Sequence, residues 1–154
     1  MKKIYLAGTG VFRPDAVEYG KWQKRLCSDH GFEGLYPLDN ECEGAGEIFE
    51  ANTAMIRECD IIAADMNDFR GNEPDSGTSF ELGYACALGK RLYIYRGSSD
   101  TLRQRLGCSD ENGMIVEDFG FPVNLMAAVP SVMVFGGFEE CLRKISEDEG
   151  SISE

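Results

Sequence analysis

Side chains able to do chemistry gather in one stretch, Pro74-Asp75-Ser76-Gly77-Thr78-Ser79-Phe80-Glu81-Leu82-Gly83-Tyr84-Ala85. Between Asp75 and Lys90, Glu81 is the only charged residue, and it falls near the start of an otherwise apolar helical pattern. Two accounts of it are open. In the local one, Thr78-Ser79-Phe80-Glu81 is a capping box and Glu81 reaches back to the Thr78 amide. In the chemical one, the positive end of the helix keeps Glu81 ionised inside a cleft, where a carboxylate is a nucleophile. Asp75, on the preceding loop, supplies a second carboxylate. Paired carboxylates around one carbon centre are what glycosyl transfer with retention requires.

Gly8-Thr9-Gly10-Val11-Phe12-Arg13 begins like a dinucleotide-binding turn, but Arg13 stands where the third glycine belongs. Its plain alternative is a tight turn that needs glycine for backbone reasons. Phe12 beside it offers a flat face, either to a ligand or to the core. Asp65 either orders the site or caps the loop that follows it. With 27 acidic and 15 basic residues the net charge is −12, which speaks against nucleic acid and anionic membrane as partners. Six cysteines without a CxxC pair, and one histidine, fit neither a zinc site nor a disulfide framework. They are expected as free thiols in a reducing cytoplasm. The apolar run after Lys3 is too short for a signal peptide, and no stretch approaches a membrane span.

The elements that must position these residues alternate. Strands are expected at Lys3–Ala7, Gly34–Pro37, Asp60–Asp65, Arg91–Tyr95 and Ser131–Phe135. Helices are expected from Pro14 to Gly31 and over Glu47–Glu58, Phe80–Leu88, Leu102–Leu106, Pro122–Ala128 and Phe138–Ile145. This pattern predicts an α/β fold, a flavodoxin-like doubly wound sheet of five mainly parallel strands in the order 2-1-3-4-5, with helices on both faces. Ligands then bind beyond the carboxyl ends of the strands, where the order reverses. Residues 1–145 form one domain, and 146–154, with four acids and no base, read as a disordered, solvated tail.

Ile4-Tyr5-Leu6-Ala7-Gly8, Pro37-Leu38-Asp39-Asn40-Glu41, Asn52, Phe69-Arg70-Gly71, Asp75-Ser76-Gly77-Thr78 with Glu81-Leu82-Gly83-Tyr84-Ala85, and Phe121-Pro122-Val123-Asn124-Leu125-Met126 occur in that order. Together they resemble the nucleoside 2-deoxyribosyltransferase family. The resemblance implies exchange of free nucleobases on 2'-deoxyribonucleosides through a deoxyribosyl ester of Glu81. The two inversions give net retention, with hydrolysis as a side reaction and no metal or organic cofactor. It implies that Tyr5 orients Glu81 and disfavours a ribose 2'-OH, that Asp75 holds the sugar hydroxyls, and that Phe12 packs on the base. Asn124 is implied to reach the sugar from a neighbouring subunit, making the protein a homo-oligomer. Glu50 aligns with an acid that handles the base's proton, or is a solvated helix-face residue. Gly8, Asp65, Arg70, Gly77 and Met126 complete the candidate substrate-binding set. Two rivals stand beside this reading. One is a deoxynucleoside 5'-monophosphate N-glycosidase using Arg70 and Ser76 for phosphate; the other is a non-catalytic nucleotide-binding module with Gly8 to Gly10 as its phosphate turn.

Overall fold

The computed structural model describes residues 1–152. Five strands, β1 (Lys3–Ala7), β2 (Glu33–Leu35), β3 (Ile61–Asp65), β4 (Arg91–Arg96) and β5 (Val132–Phe135), form one sheet in the order β2-β1-β3-β4-β5. Every pairing is parallel, with Tyr5 opposite Ile62 and Asp65 opposite Tyr95. The helices are α1 (Ala16–Asp29), α2 (Ala45–Glu58), α3 (Ser76–Ala87), α4 (Leu102–Leu106), α5 (Leu125–Ala128) and α6 (Phe138–Ile152), with 3-10 turns at Thr9–Phe12 and Pro37–Asp39. The doubly wound five-stranded sheet expected from the alternation is therefore present. None of the described helices is long and apolar enough to cross a membrane.

Strand alternation divides the core into two layers. Tyr5, Ala7, Ile62, Ala64, Leu92 and Ile94 pack with residues of α2 and α3 such as Ile56 and Leu82. Ile4, Leu6, Ile61, Ala63, Tyr93 and Tyr95 pack on the opposite face, with Cys27 of α1 and Leu142 and Ile145 of α6. A strand buried on both faces reads as a continuous apolar run, and β3 does. The same alternation turns the Tyr5 side chain toward α3.

Three expectations need correction. First, α3 starts four residues before the expected Phe80, because Asp75 caps it, accepting from the Thr78 amide at 2.9 Å. The Thr78–Glu81 capping box is thus not what Glu81 serves. Second, β2 ends at Leu35, since Pro37 opens a 3-10 turn, a position its fixed backbone angle suits. Third, the stretch expected as a disordered tail from residue 146 continues α6 to Ile152. Its acids have partners: Glu149, 9% exposed, pairs with Lys2 and Arg91, and Asp148 accepts from the Tyr93 hydroxyl at 2.9 Å. Spaced four residues beyond Ile145, Glu149 falls on the buried stripe of the helix. Ser153 and Glu154 lie outside the described residues.

Candidate active site

The site is built where β1 ends against α3. Tyr5 is fully buried, and its hydroxyl donates to Glu81 Oε1 at 2.9 Å. Both belong to the α2–α3 side of the sheet, and Glu81 opens into a cavity of about 340 Å³. Phe12 and Gly8 form one wall, following β1; Asp75, Gly77 and Thr78 form another, at the start of α3. A third wall comes from α2, through Ile48, Ala51 and Asn52.

Burial pushes the Glu81 carboxyl up to about 7; the negative charge of Asp75 adds to the rise, and the Tyr5 hydroxyl opposes it. This corrects the expectation that the helix's positive end keeps Glu81 ionised. Glu81 lies in the second turn of α3, beyond the first turn in which the dipole acts, and the cap itself is an acid. Desolvation therefore outweighs the dipole. Burial, and then the neighbouring Glu81, also raise the Tyr5 phenol well above its usual value, so Tyr5 serves as a donor throughout the ordinary pH range.

Asp75 is held by one oxygen. Its Oδ2 accepts from the Thr78 amide and the Thr78 hydroxyl, both at 2.9 Å. No described residue donates to Oδ1. A Cβ at Gly77 would come within 3.2 Å of Asp75 Oδ2, so glycine there leaves the carboxylate its position. At Gly8 the constraint is stronger: φ is 150°, and a Cβ would sit 2.7 Å from Asp65 Cβ.

The remaining candidates divide. Phe12 lines the cavity and stacks on Phe69, with centroids 5.3 Å apart, while the Arg70 guanidinium lies over both rings. Asp65 caps the following loop, accepting from the Asn67 amide at 3.0 Å and its side chain at 2.7 Å. It borders a separate small recess with Tyr19, Tyr36 and Tyr95, away from Glu81. Glu50 is exposed and does not line the cavity, although Ala51 and Asn52 beside it do. Asn124 and Met126 do not meet Glu81 within one chain. They border a second cavity of about 380 Å³ against a different face of α3, formed by Ser79, Leu82, Gly83 and Cys86. There Asn124 caps α5 and donates to Glu117 Oε1 at 2.7 Å.

Two residues of the cavity were not among the candidate site residues. Thr78 holds Asp75, and Asn52 keeps a buried Oδ1 with no hydrogen-bond partner. The signal for Asn52 was present: it interrupts the apolar stripe of α2 between Ile48 and Ile56.

Comparison with known proteins identifies the family and the fold. Residues 4–126 match the family described as Nucleoside 2-deoxyribosyltransferase. The chain is 40% identical to a structure named 2-desoxiribosyltransferase from Leishmania mexicana, with a TM-score of 0.88 over 96% of this chain and 98% of that one. Two structures at 18% identity share the fold. A 2-deoxyribosyltransferase from Bacillus psychrosaccharolyticus gives a TM-score of 0.62 over 94% of this chain and 90% of its own. The CMP N-glycosidase BcmB from Clostridium botulinum gives 0.54 over 95% and 99%. An uncharacterised protein of Schizosaccharomyces pombe is 31% identical over 168 residues, covering 88% of this chain and 79% of that protein. A family match across most of the chain, with a neighbour of the same activity that superposes nearly end to end, establishes that this protein belongs to the nucleoside 2-deoxyribosyltransferase family and is a transferase enzyme.

Proposed function

We propose that the protein exchanges nucleobases on 2'-deoxyribonucleosides through a covalent deoxyribosyl ester of Glu81. The observation that carries this reading is the Tyr5–Glu81 hydrogen bond of 2.9 Å at the wall of the cavity. Tyr5 occupies Oε1 and leaves Oε2 for the anomeric carbon. In the first half-reaction Oε2 bonds to C1' with inversion, and the C1'–N bond breaks. Its electron pair leaves with the base, which takes a proton from water. In the second, a nitrogen of another base attacks C1' with a second inversion and loses its proton, releasing Glu81 as carboxylate. Water in place of that base gives hydrolysis.

The transition state carries positive charge on the sugar, and the anionic Glu81 with Asp75 close by stabilises it electrostatically. Asp75 Oδ1 accepts a sugar hydroxyl, Phe12 packs on the base, and the Asn52 amide meets the polar edge of the base. The bulk of Tyr5 disfavours a ribose 2'-OH. Asn124 and Met126, turned away from Glu81 in their own chain, serve the site of a neighbouring copy in a homo-oligomer.

The alternative, a deoxynucleoside 5'-monophosphate N-glycosidase, has a fold neighbour in the CMP N-glycosidase, but the charges of this cavity favour it less. Phosphate needs donors, whereas the described residues lining the cavity include two carboxylates, Asp75 and Glu81, and no lysine or arginine. The test is incubation with deoxyinosine and adenine, following deoxyadenosine, in parallel with a deoxynucleoside monophosphate alone. Exchange without a phosphate requirement is expected; base release from the monophosphate only would overturn the reading. Mixing inactive Asn124→Ala and Glu81→Ala proteins should restore partial activity if sites are shared between subunits.

A further inference from the structure

We propose that Asp68 is a positioning residue of the base subsite: gripped by two arginines, it sets the Phe69–Arg70 turn and, through that turn, the Phe12 ring. Asp68 Oδ1 accepts from Arg96 Nη1 at 3.1 Å and Oδ2 from Arg105 Nη1 at 2.8 Å. Arg96, 4% exposed at the end of β4, also donates to the Met66 carbonyl at 2.9 Å and the Ser98 carbonyl at 3.1 Å. Arg105 of α4 also donates to the Asn72 carbonyl at 3.3 Å and the Pro122 carbonyl at 2.8 Å. The loop between β3 and α3 is therefore fastened at Met66, Asp68 and Asn72, on both sides of its Phe69–Arg70 tip.

That tip is held in an uncommon shape. The Phe69 amide donates to the Glu73 carbonyl at 2.9 Å, and Arg70 sits at φ 54°, a left-handed conformation that non-glycine residues rarely adopt. Such backbone persists where its surroundings over-determine it. The product is a stack: Phe69 lies on Phe12 at 5.3 Å and 17°, and the Arg70 guanidinium covers the two rings at 4.5 and 5.1 Å. Phe12 is 54% exposed, so little else packs on it. Its orientation along the cavity wall depends on Phe69. Asp68 is itself exposed, and an ion pair at the surface adds little net stability; two arginines on one loop carboxylate secure a geometry instead.

This inference rests on the reading that Phe12 packs on the base. The test is a double-mutant cycle in the full-length enzyme, with Phe12→Ala, Asp68→Asn and the pair, measuring KM and kcat for deoxyinosine with adenine, and Tm. Asp68→Asn is expected to raise KM roughly tenfold, the scale of one lost base–aromatic stack. The kcat value and the acid limb of the pH profile should stay near wild type, because Tyr5 and Glu81 are untouched. In the Phe12→Ala background, Asp68→Asn should add nothing, since residues acting through one another are not additive. Additive effects, or a lower kcat at unchanged KM, would show a merely structural role and overturn the proposal. If Phe12→Ala alone leaves KM unchanged, it is the base-stacking reading that fails. Should Asp68→Asn not fold, Arg105→Lys enters the same cycle with the same expectations, because a lysine cannot span Asp68 and the Pro122 carbonyl together.

Discussion

Glu81 should make the enzyme less stable than it is without that charge, and the size of the effect follows from the site. Burial displaces the carboxyl from 4.5 to about 7. At about 1.4 kcal/mol per pH unit, the displacement corresponds to roughly 3 kcal/mol. Below about pH 4.5 the group is protonated in both folded and unfolded chains, and nothing is lost. As pH rises toward 7, the unfolded chain releases the proton while the folded one keeps it, so stability falls; above 7 the full loss is present. Glu81→Gln removes the titration, leaves Tyr5 an acceptor and opens no cavity. The variant should match wild type near pH 4 and exceed it near pH 8 by about 3 kcal/mol, or roughly 6–12 °C in Tm for a domain of this size. Thermal or urea unfolding of both proteins across that range is the assay, and groups common to both cancel in the difference. Parallel curves for the two proteins from pH 4 to pH 8 would refute the claim that Glu81 is held in a desolvated state.

Other outcomes follow from the same structure. Tyr5→Phe removes the bond that favours ionised Glu81, so the acid limb of kcat/KM, expected near pH 7 in wild type, should move higher. A lost hydrogen bond to a charged group, at about 1.5–3 kcal/mol, should lower kcat/KM by roughly 10- to 100-fold. Gly8→Ala places a Cβ 2.7 Å from Asp65 Cβ on a backbone at φ 150°. It should cost about 1–3 kcal/mol in urea unfolding. Truncation after Ile145 strips Lys2, Arg91 and Tyr93 of Glu149 and Asp148. It should lower stability by on the order of 2 kcal/mol, whereas a solvated tail could be removed without effect.

The sheet was legible because its signals are local. Apolar runs such as Ile61 to Ala64 alternate with helical stripes, and the right-handed crossovers then leave few strand orders. The resemblance also named Glu81, Tyr5, Asp75 and Phe12, and the fold brings all four to one cleft. What stayed hidden depends on partners remote in the chain. Glu81 reads as a first-turn, dipole-favoured acid until Tyr5, 76 residues away, and the surrounding walls bury it. The acids after Ser146 read as solvated because Lys2 and Arg91 are far off in the chain, although their spacing continues the α6 stripe. Asp68, Arg96 and Arg105 look like ordinary surface charges in the sequence, and only the fold brings them together. Asn124 lies at a second cavity away from Glu81, so the sugar contact proposed for it requires a neighbouring copy.

The proposed covalent role of Glu81 is tested most directly by trapping. The enzyme would be mixed with a deoxynucleoside bearing fluorine at C2', whose electron withdrawal slows breakdown of the ester, with no acceptor base present. After acid quench, peptide mass mapping should place one glycosyl group on Glu81, with none on Glu81→Ala protein. Glycosylation of a different residue, or an unmodified Glu81 peptide in enzyme that has released the base stoichiometrically, would contradict the account.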